Sequence, residues 1–229
     1  MQWFGLFFLL FSISCTQDDP KFDELQNQMI KNQLKSRGIK DQSILGAMGT
    51  VKRHKFVPEN YLENAYSDGP LPIGYGQTIS QPYIVAFMTQ ELQVSIEHNV
   101  LEIGTGSGYQ AAVLSELAKH VYTIEIVPEL SVQATNILNE LGYNNITVRT
   151  GDGYKGWPEL APFDRIMVTA APEKIPQTLI DQLSPNGVMI LPVGKQFSVQ
   201  YLWVIKKDGQ GEVTKEKILP VRFVPMVKG

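Results

Sequence analysis

From residue 99 onward, short apolar runs alternate with amphipathic stretches. The runs at 99–103, 121–125, 145–150, 164–169 and 187–193 have the length of strands, and the segments at 108–118, 128–141 and 175–183 carry helical spacing. Near-continuous apolar strands separated by helices predict a parallel sheet covered on both faces. Gly142 and Gly187 fall where helix-to-strand turns need them. The C-terminal pattern is different. Runs at 199–206 and 216–224 flank Asp208-Gly209-Gln210-Gly211, a hairpin signal that predicts two antiparallel strands closing the sheet edge.

Upstream, Phe22, Leu25, Met29, Ile30 and Leu34 recur at helical spacing, with Gly38 placed as the C-terminal cap. Asp41 is placed to cap a second helix carrying Ile44, Leu45 and Met48. Pro58, Pro70 and Pro72 mark an irregular stretch, and 82–93 returns to helix with Pro82 in its first turn. Residues 22–229 therefore read as one domain with a helical extension at 22–95, preceded by a polar linker at 16–21. The first fifteen residues stand apart. The run 3–13 is almost wholly apolar, too short to span a bilayer as a stable helix, and reads as a signal-peptide core. Ending at Cys15, it resembles a bacterial lipoprotein signal, whose cysteine is lipidated after cleavage. It departs from that pattern in having no lysine or arginine before the run and Ser12 where leucine is usual. An uncleaved hydrophobic extension and a misassigned start codon are the alternatives.

Composition narrows the classes. Of 229 residues, 43% are hydrophobic and 19% charged, ordinary for a globular enzyme. A net charge of −3 without a basic stripe speaks against a nucleic-acid surface. The single cysteine excludes an internal disulfide. His54, His98 and His120 lack metal-ligand spacing among themselves or with Cys15, so no metal is expected.

The chemistry concentrates at 99–125. Val100-Leu101-Glu102-Ile103 runs into Gly104-Thr105-Gly106-Ser107-Gly108, and the next strand ends at Glu125. A strand, a glycine turn and an acid at the tip of the following strand are the layout of a nucleotide-type cofactor site. Glycine lets backbone approach the ligand, and the acid can accept from ribose hydroxyls. A dinucleotide fingerprint places its third glycine five residues after the first, where this chain has Tyr109. The alternating glycines, with Glu102 two residues ahead, resemble motif I of the S-adenosylmethionine-dependent methyltransferases. A second concentration is Gly74-Tyr75-Gly76-Gln77-Thr78-Ile79-Ser80-Gln81-Pro82. Backbone N–H groups at a helix start, with the Thr78 and Ser80 hydroxyls, suit a carboxylate. A plain surface loop with Ser80 capping the helix is the alternative.

This second segment resembles the protein-L-isoaspartate O-methyltransferase family. The resemblance runs from about Met29 to the C-terminus. It takes in Arg53-His54, Phe56-Val57-Pro58, Gly151-Asp152-Gly153, Gly156-Trp157-Pro158, Ala161-Pro162-Phe163-Asp164, Val168-Thr169-Ala170-Ala171, Pro192-Val193-Gly194 and Val221-Arg222-Phe223-Val224-Pro225. Lys52 stands where relatives usually have proline. The resemblance implies a Rossmann-like methyltransferase fold, α/β, with a mostly parallel seven-stranded sheet and an antiparallel C-terminal edge. It implies methyl transfer from S-adenosyl-L-methionine, leaving S-adenosyl-L-homocysteine, to the free carboxylate of isoaspartyl residues in damaged proteins and peptides. It also implies the cytoplasm, whereas the leading segment points to export and a lipid anchor; a monomer is expected.

Roles follow for single residues. Ser80 would orient the carboxylate. Gly104, Thr105, Gly106 and Gly108 would line the amino acid part of the cofactor, and Glu102 would take its ammonium directly or through water. Glu125 would accept from the ribose, Ile126 would pack on the adenine, and Asp152 with Gly153 would meet the adenine amino group. By resemblance alone, Gln77, Thr78, Ile79, Val85 and Gln200 would also approach the cofactor. Tyr154 and Trp157 would cover it or pack in the core, Arg53 and His54 would support the substrate loop or the fold, and Arg222 would lie in a strand within a buried ion pair. A carboxylate nucleophile is already ionised at neutral pH and the leaving group is a neutral thioether, so placement and desolvation are expected to replace acid–base catalysis. The competing readings are a nicotinamide-dependent oxidoreductase and an exported lipoprotein that kept the fold without the chemistry.

Overall fold

The computed structural model describes residues 20–229. The leading apolar segment with Cys15 lies outside the described residues, as does all but the end of the expected linker. Helix α1 (Pro20–Met29) starts two residues inside that linker, because proline suits a first helical turn where its missing N–H is not needed. The helical path continues through a π-helical turn at Ile30–Leu34 and a 3-10 turn at Lys35–Arg37, and Gly38 ends it at φ 93°. Asp41 caps α2 (Gln42–Thr50) by accepting from the Ser43 and Ile44 amides.

The stretch expected to be an irregular loop is in part a hairpin. Strands β1 (Leu71–Gly74) and β2 (Gln77–Ile79) pair antiparallel as a small separate sheet. Tyr75 and Gly76 form the turn, both at positive φ (53° and 71°), the backbone a tight two-residue hairpin requires. Leu71, Ile73 and Ile79 point inward, while Gly74, Tyr75 and Thr78 are exposed. Pro70 and Pro72 hide this pattern in the sequence, since an edge strand tolerates a proline that a central one would not. Helix α3 (Pro82–Leu92) follows at once.

The main sheet is built from β3 (Asn99–Ile103), β4 (His120–Glu125), β5 (Ile146–Thr150), β6 (Phe163–Val168), β7 (Leu183–Val193), β8 (Gln200–Lys207) and β9 (Val213–Val221). Its order is β5-β4-β3-β6-β7-β8-β9, parallel as far as β7 and antiparallel at β8 and β9. Helices α4 (Tyr109–Ser115), α5 (Pro128–Glu140) and α6 (Gln177–Asp181) connect the parallel strands. Side chains alternate across β3. Val100 packs with Met88 and Leu92 of α3 and Ala111 and Leu114 of α4, whereas Leu101 and Ile103 pack with Ile166, Val168, Leu179 and Ile180. Strand β9 ends at Val221, so Arg222 lies past the sheet, and it is exposed rather than buried in an ion pair.

The chain moves from β3 outward to β4 and β5, then returns to the other side of β3 for β6. Such a reversal leaves a crevice above the carboxyl ends of β3 and β6, the place where open α/β sheets take their ligands.

Candidate functional site: a cofactor crevice opening on an outer cleft

The glycine loop leaves β3 with Gly104, Gly106 and Gly108 all at positive φ (99°, 53° and 87°). Gly104 has a second constraint. A Cβ there would stand 2.4 Å from the Thr169 hydroxyl oxygen. Thr169 follows β6 and donates that hydroxyl toward the Gly104 carbonyl at 2.6 Å, with the Ile103 carbonyl at 3.0 Å. The ends of β3 and β6 are thus clipped together at the crevice. Gly153, after β5, is equally hemmed in, its Cβ position lying 2.3 Å from Ile103 Cγ2.

Glu125 closes the crevice from β4 and is 5% exposed. Its Oε2 accepts the Gly106 amide at 2.7 Å, and its Oε1 accepts the Ile126 and Val127 amides at 2.9 and 3.0 Å. One carboxylate therefore fixes both the glycine loop and the turn after β4.

Glu102 sits differently. It points to the α3 and α4 side of β3, is fully buried, and lines none of the clefts described below. Its Oε2 accepts from the Thr123 hydroxyl at 2.6 Å, and Thr123 lies 2.7 Å from Thr105. Its Oε1 has no hydrogen-bond partner among the described residues. Desolvation by burial pushes the carboxyl up to about 8, with a smaller push from Glu125, against the Thr123 hydrogen bond. Glu102, expected at the cofactor ammonium directly or through water, stands behind Thr105 and reaches the loop through Thr123.

Three connected clefts make up the site. The cofactor crevice is lined by Gln77, Thr78, Ile103, Gly104, Ile124 to Val127, Gly153, Thr169, Ala170 and Val224 to Val227. A small pocket beneath the glycine loop adds Ile79, Ser80, Val85, Thr105, Tyr109 and Gln110. An outer cleft of about 310 Å³ is lined by Pro70, Thr78, Ser80, Gln81, Ile84, Thr169 and the segment Pro220 to Val224. Thr78 and Thr169 border all three, and Ser80 borders the last two. Gln81 occupies the N-cap of α3, so the Ser80 side chain is not spent on capping.

Of the residues expected at the cofactor, Gln77, Thr78, Ile79, Ser80, Val85, Gly104, Thr105, Glu125, Ile126 and Gly153 line the crevice or its pocket. Gly106 presents its amide to Glu125, and Gly108 lets the loop pass Leu138. Asp152 caps the turn after β5 by accepting the Tyr154 amide at 2.9 Å and lines none of these clefts. Gln200 does not line them either. Buried to 2% exposure, it donates to the Phe223 carbonyl at 3.1 Å and accepts the Phe223 amide at 2.6 Å. Trp157 packs edge-on to Tyr122 away from the crevice, whereas the Tyr154 hydroxyl donates to the Met226 carbonyl at 3.3 Å.

Sequence reasoning missed the strap at 222–227. It leaves β9 and folds back over the crevice, bridging to Ala171 through Ala171 N–Val224 O and Met226 N–Ala171 O at 2.8 and 2.9 Å. Its only signal was Phe-Val-Pro after a strand, which names no function. Thr169 was also passed over as a site residue, though it sits one residue past β6 in the position that matches Gly104 after β3. On the far side, Arg53 is wholly buried, donates to the Ala65 carbonyl at 2.7 Å and lies over the Tyr109 ring at 4.9 Å. His54 stacks on Phe22 and meets the Tyr66 hydroxyl, so Arg53 braces the helical extension against α4 while His54 ties the extension together.

An alternating glycine loop after the first sheet strand, an acid after the second and a reversed edge pair define the class of S-adenosylmethionine-dependent methyltransferases. The crevice fits that cofactor: backbone that admits no Cβ at Gly104 or Gly153, an apolar wall of Ile103, Ile124 and Ile126, and one carboxylate at its rim. The sequence model of the protein-L-isoaspartate(D-aspartate) O-methyltransferase family matches residues 24–229, and the chain belongs to that family. It is similar to the protein-L-isoaspartate O-methyltransferase of Gloeobacter violaceus, 55% identical over 200 residues, covering 87% of this chain and 97% of that one. A solved protein-L-isoaspartate O-methyltransferase superposes with a TM-score of 0.80 at 30% identity, covering 87% of this chain and 65% of that chain. A Plasmodium falciparum structure in complex with S-adenosyl-L-homocysteine superposes with a TM-score of 0.75 at 26% identity, covering 91% and 99%.

Proposed function

We propose that the chain methylates the free carboxylate of L-isoaspartyl residues in damaged proteins and peptides, the first step in their repair. S-adenosyl-L-methionine supplies a methyl group on a sulfonium, and the bond pair stays with sulfur as a neutral thioether leaves. One observation carries this reading. The cofactor crevice and the open outer cleft meet at Thr78 and Thr169, and among the described residues no carboxylate, histidine or lysine lines the small pocket at that meeting point. That lining suits an ionised nucleophile, which needs orientation and exclusion of water rather than a base.

Ser80 is the residue we place against the substrate carboxylate, with its hydroxyl as donor. Gln77, Thr78, Ile79, Val85, Gly104, Thr105, Gly153 and the Glu125 carboxylate would hold the cofactor, Glu125 at the ribose hydroxyls and Ile126 at the adenine. Glu102 would act from behind, through Thr123 and Thr105, and Gly106 and Gly108 by shaping the loop. The resulting methyl ester would collapse to a succinimide, which can reopen to a normal aspartyl link. The test is methyl transfer from labelled cofactor to an isoaspartyl peptide and to its aspartyl twin. Labelling of the first alone is expected, and equal labelling of both refutes the substrate assignment. Lipid attachment at Cys15 and a monomeric state are separate proposals. Mass spectrometry of the mature N-terminus and sedimentation of the purified chain test them.

A further inference from the structure

Among the described residues the outer cleft is lined by a single formally charged side chain, Arg222, together with the polar groups of Thr78, Ser80, Gln81 and Thr169 and apolar Ile84 and Phe223. Arg222 is exposed and makes no hydrogen bond or ion pair with the described residues. Asp68, which accepts from the cleft residue Gln81 at 2.7 Å, is already paired with Arg37 at 3.0 Å. Arg222 is also held in place. The next residue, Phe223, has its carbonyl and amide both clamped by the buried Gln200 side chain, and Val224 is tied to Ala171. A guanidinium on fixed backbone presents its donor fork without first having to order the chain that carries it.

We propose that Arg222 makes the enzyme favour isoaspartyl sites that have a carboxylate side chain one residue away. This rests on the methyl-transfer reading above. The reacting carboxylate must reach the junction at Thr78 and Thr169, and Arg222 borders neither the cofactor crevice nor the small pocket there. Its charge is therefore offered to the flanking peptide. The separation is chemically useful, because a cation paired directly with the attacking oxygen would draw off the electron density that the attack needs. An Asp or Glu side chain on the flank can take the guanidinium without touching the reacting centre.

The experiment uses the full chain and isoaspartyl peptides that differ only in carrying Glu, Gln or Lys beside the damaged residue, on either side. The wild type should rank Glu over Gln over Lys in kcat/KM at low salt. An exposed pair of this kind is worth a roughly two- to five-fold preference for Glu over Gln. The difference should lie in KM rather than kcat and fade in about 0.5 M salt. Arg222→Gln should flatten the ranking and Arg222→Glu should invert it. An identical ranking in all three enzymes, or a wild type indifferent to the flank, overturns the proposal. A wild type that methylates none of the peptides overturns the methyl-transfer reading as well, so the two failures are distinguishable.

Discussion

The two sides of this site are made in different ways. The cofactor side stands on the ends of four parallel strands, where Gly104, Glu125 and Thr169 occupy equivalent places and Gly153 follows three residues past the end of β5. The substrate side has no such frame. It is assembled from a hairpin at 71–79 with the adjoining start of α3, and from a strap at 222–227 well over a hundred residues further on that the Gln200 side chain clamps. Strand ends hold backbone to tight tolerances because the sheet on either side is close-packed. Clamped loops can be changed piece by piece. The comparison teaches that cofactor binding is built into the core of the fold, whereas peptide preference is an adjustable property of its rim.

The strongest way to break that contrast is through Glu102, a buried acid beneath the cofactor loop. Its folded pKa lies at about 8 against an ordinary value of 4.5, so the native state holds a proton that the unfolded chain has released. Its contribution is fully present below pH 4.5, is lost as pH rises toward 8 and is flat beyond. Over that window the wild type should lose on the order of 4 kcal/mol relative to Glu102→Gln, whose amide does not titrate. Urea unfolding of both proteins across the pH range measures the difference, and parallel profiles would remove Glu102 as its source.

Next in size is a pair of glycines with the same backbone demand and different surroundings. Gly104→Ala meets both a left-handed φ and the Thr169 oxygen, and should cost about 3 kcal/mol. Gly76→Ala, at the hairpin turn, has a similar φ with nothing within 4 Å, so only the conformational part of about 1 kcal/mol is expected. Equal losses in thermal unfolding would show that the Thr169 contact is not constraining.

Glu125→Ala removes the acceptor for three backbone amides and, in the cofactor pose proposed above, for the ribose. Binding of S-adenosyl-L-homocysteine should weaken by about 2–3 kcal/mol in calorimetry. An unchanged Kd would take Glu125 out of the cofactor site.

The smallest effect belongs to the rim. Gln200→Ala frees Phe223 from two hydrogen bonds, at about 1–2 kcal/mol. It should raise the peptide KM and speed amide exchange at Phe223 and Val224 while leaving the Kd for S-adenosyl-L-homocysteine close to that of the wild type. A matched loss of cofactor affinity would mean that Gln200 works on the crevice after all.

Legibility followed the same division. The strand and helix alternation from residue 99, the Gly38 and Asp41 caps, the glycine loop and Glu125 were all readable, because each is a local rule: a period, a cap, a turn residue or a strand-end acid. The hairpin at 71–79 was not, since Pro70 and Pro72 mask strands of only four and three residues. Gln200, named on family resemblance alone, proved to be a clamp on the strap, and Asp152 a turn cap, because a side chain's target depends on what another segment brings alongside. Glu102 was placed correctly beside the loop but on its far face, a distinction set by strand alternation and by which helices cover that side.

What the amino-acid order determines unaided is therefore the sheet, the loop after β3 and the acid after β4, since neighbours in the chain supply most of the forces that shape them. Only the tertiary structure decides that Thr169 forbids a side chain at Gly104, that burial keeps a proton on Glu102, and that a C-terminal strap carries Arg222 to the mouth of the cleft. Those outcomes rest on close packing and lost solvation between segments far apart in sequence, which no local pattern records.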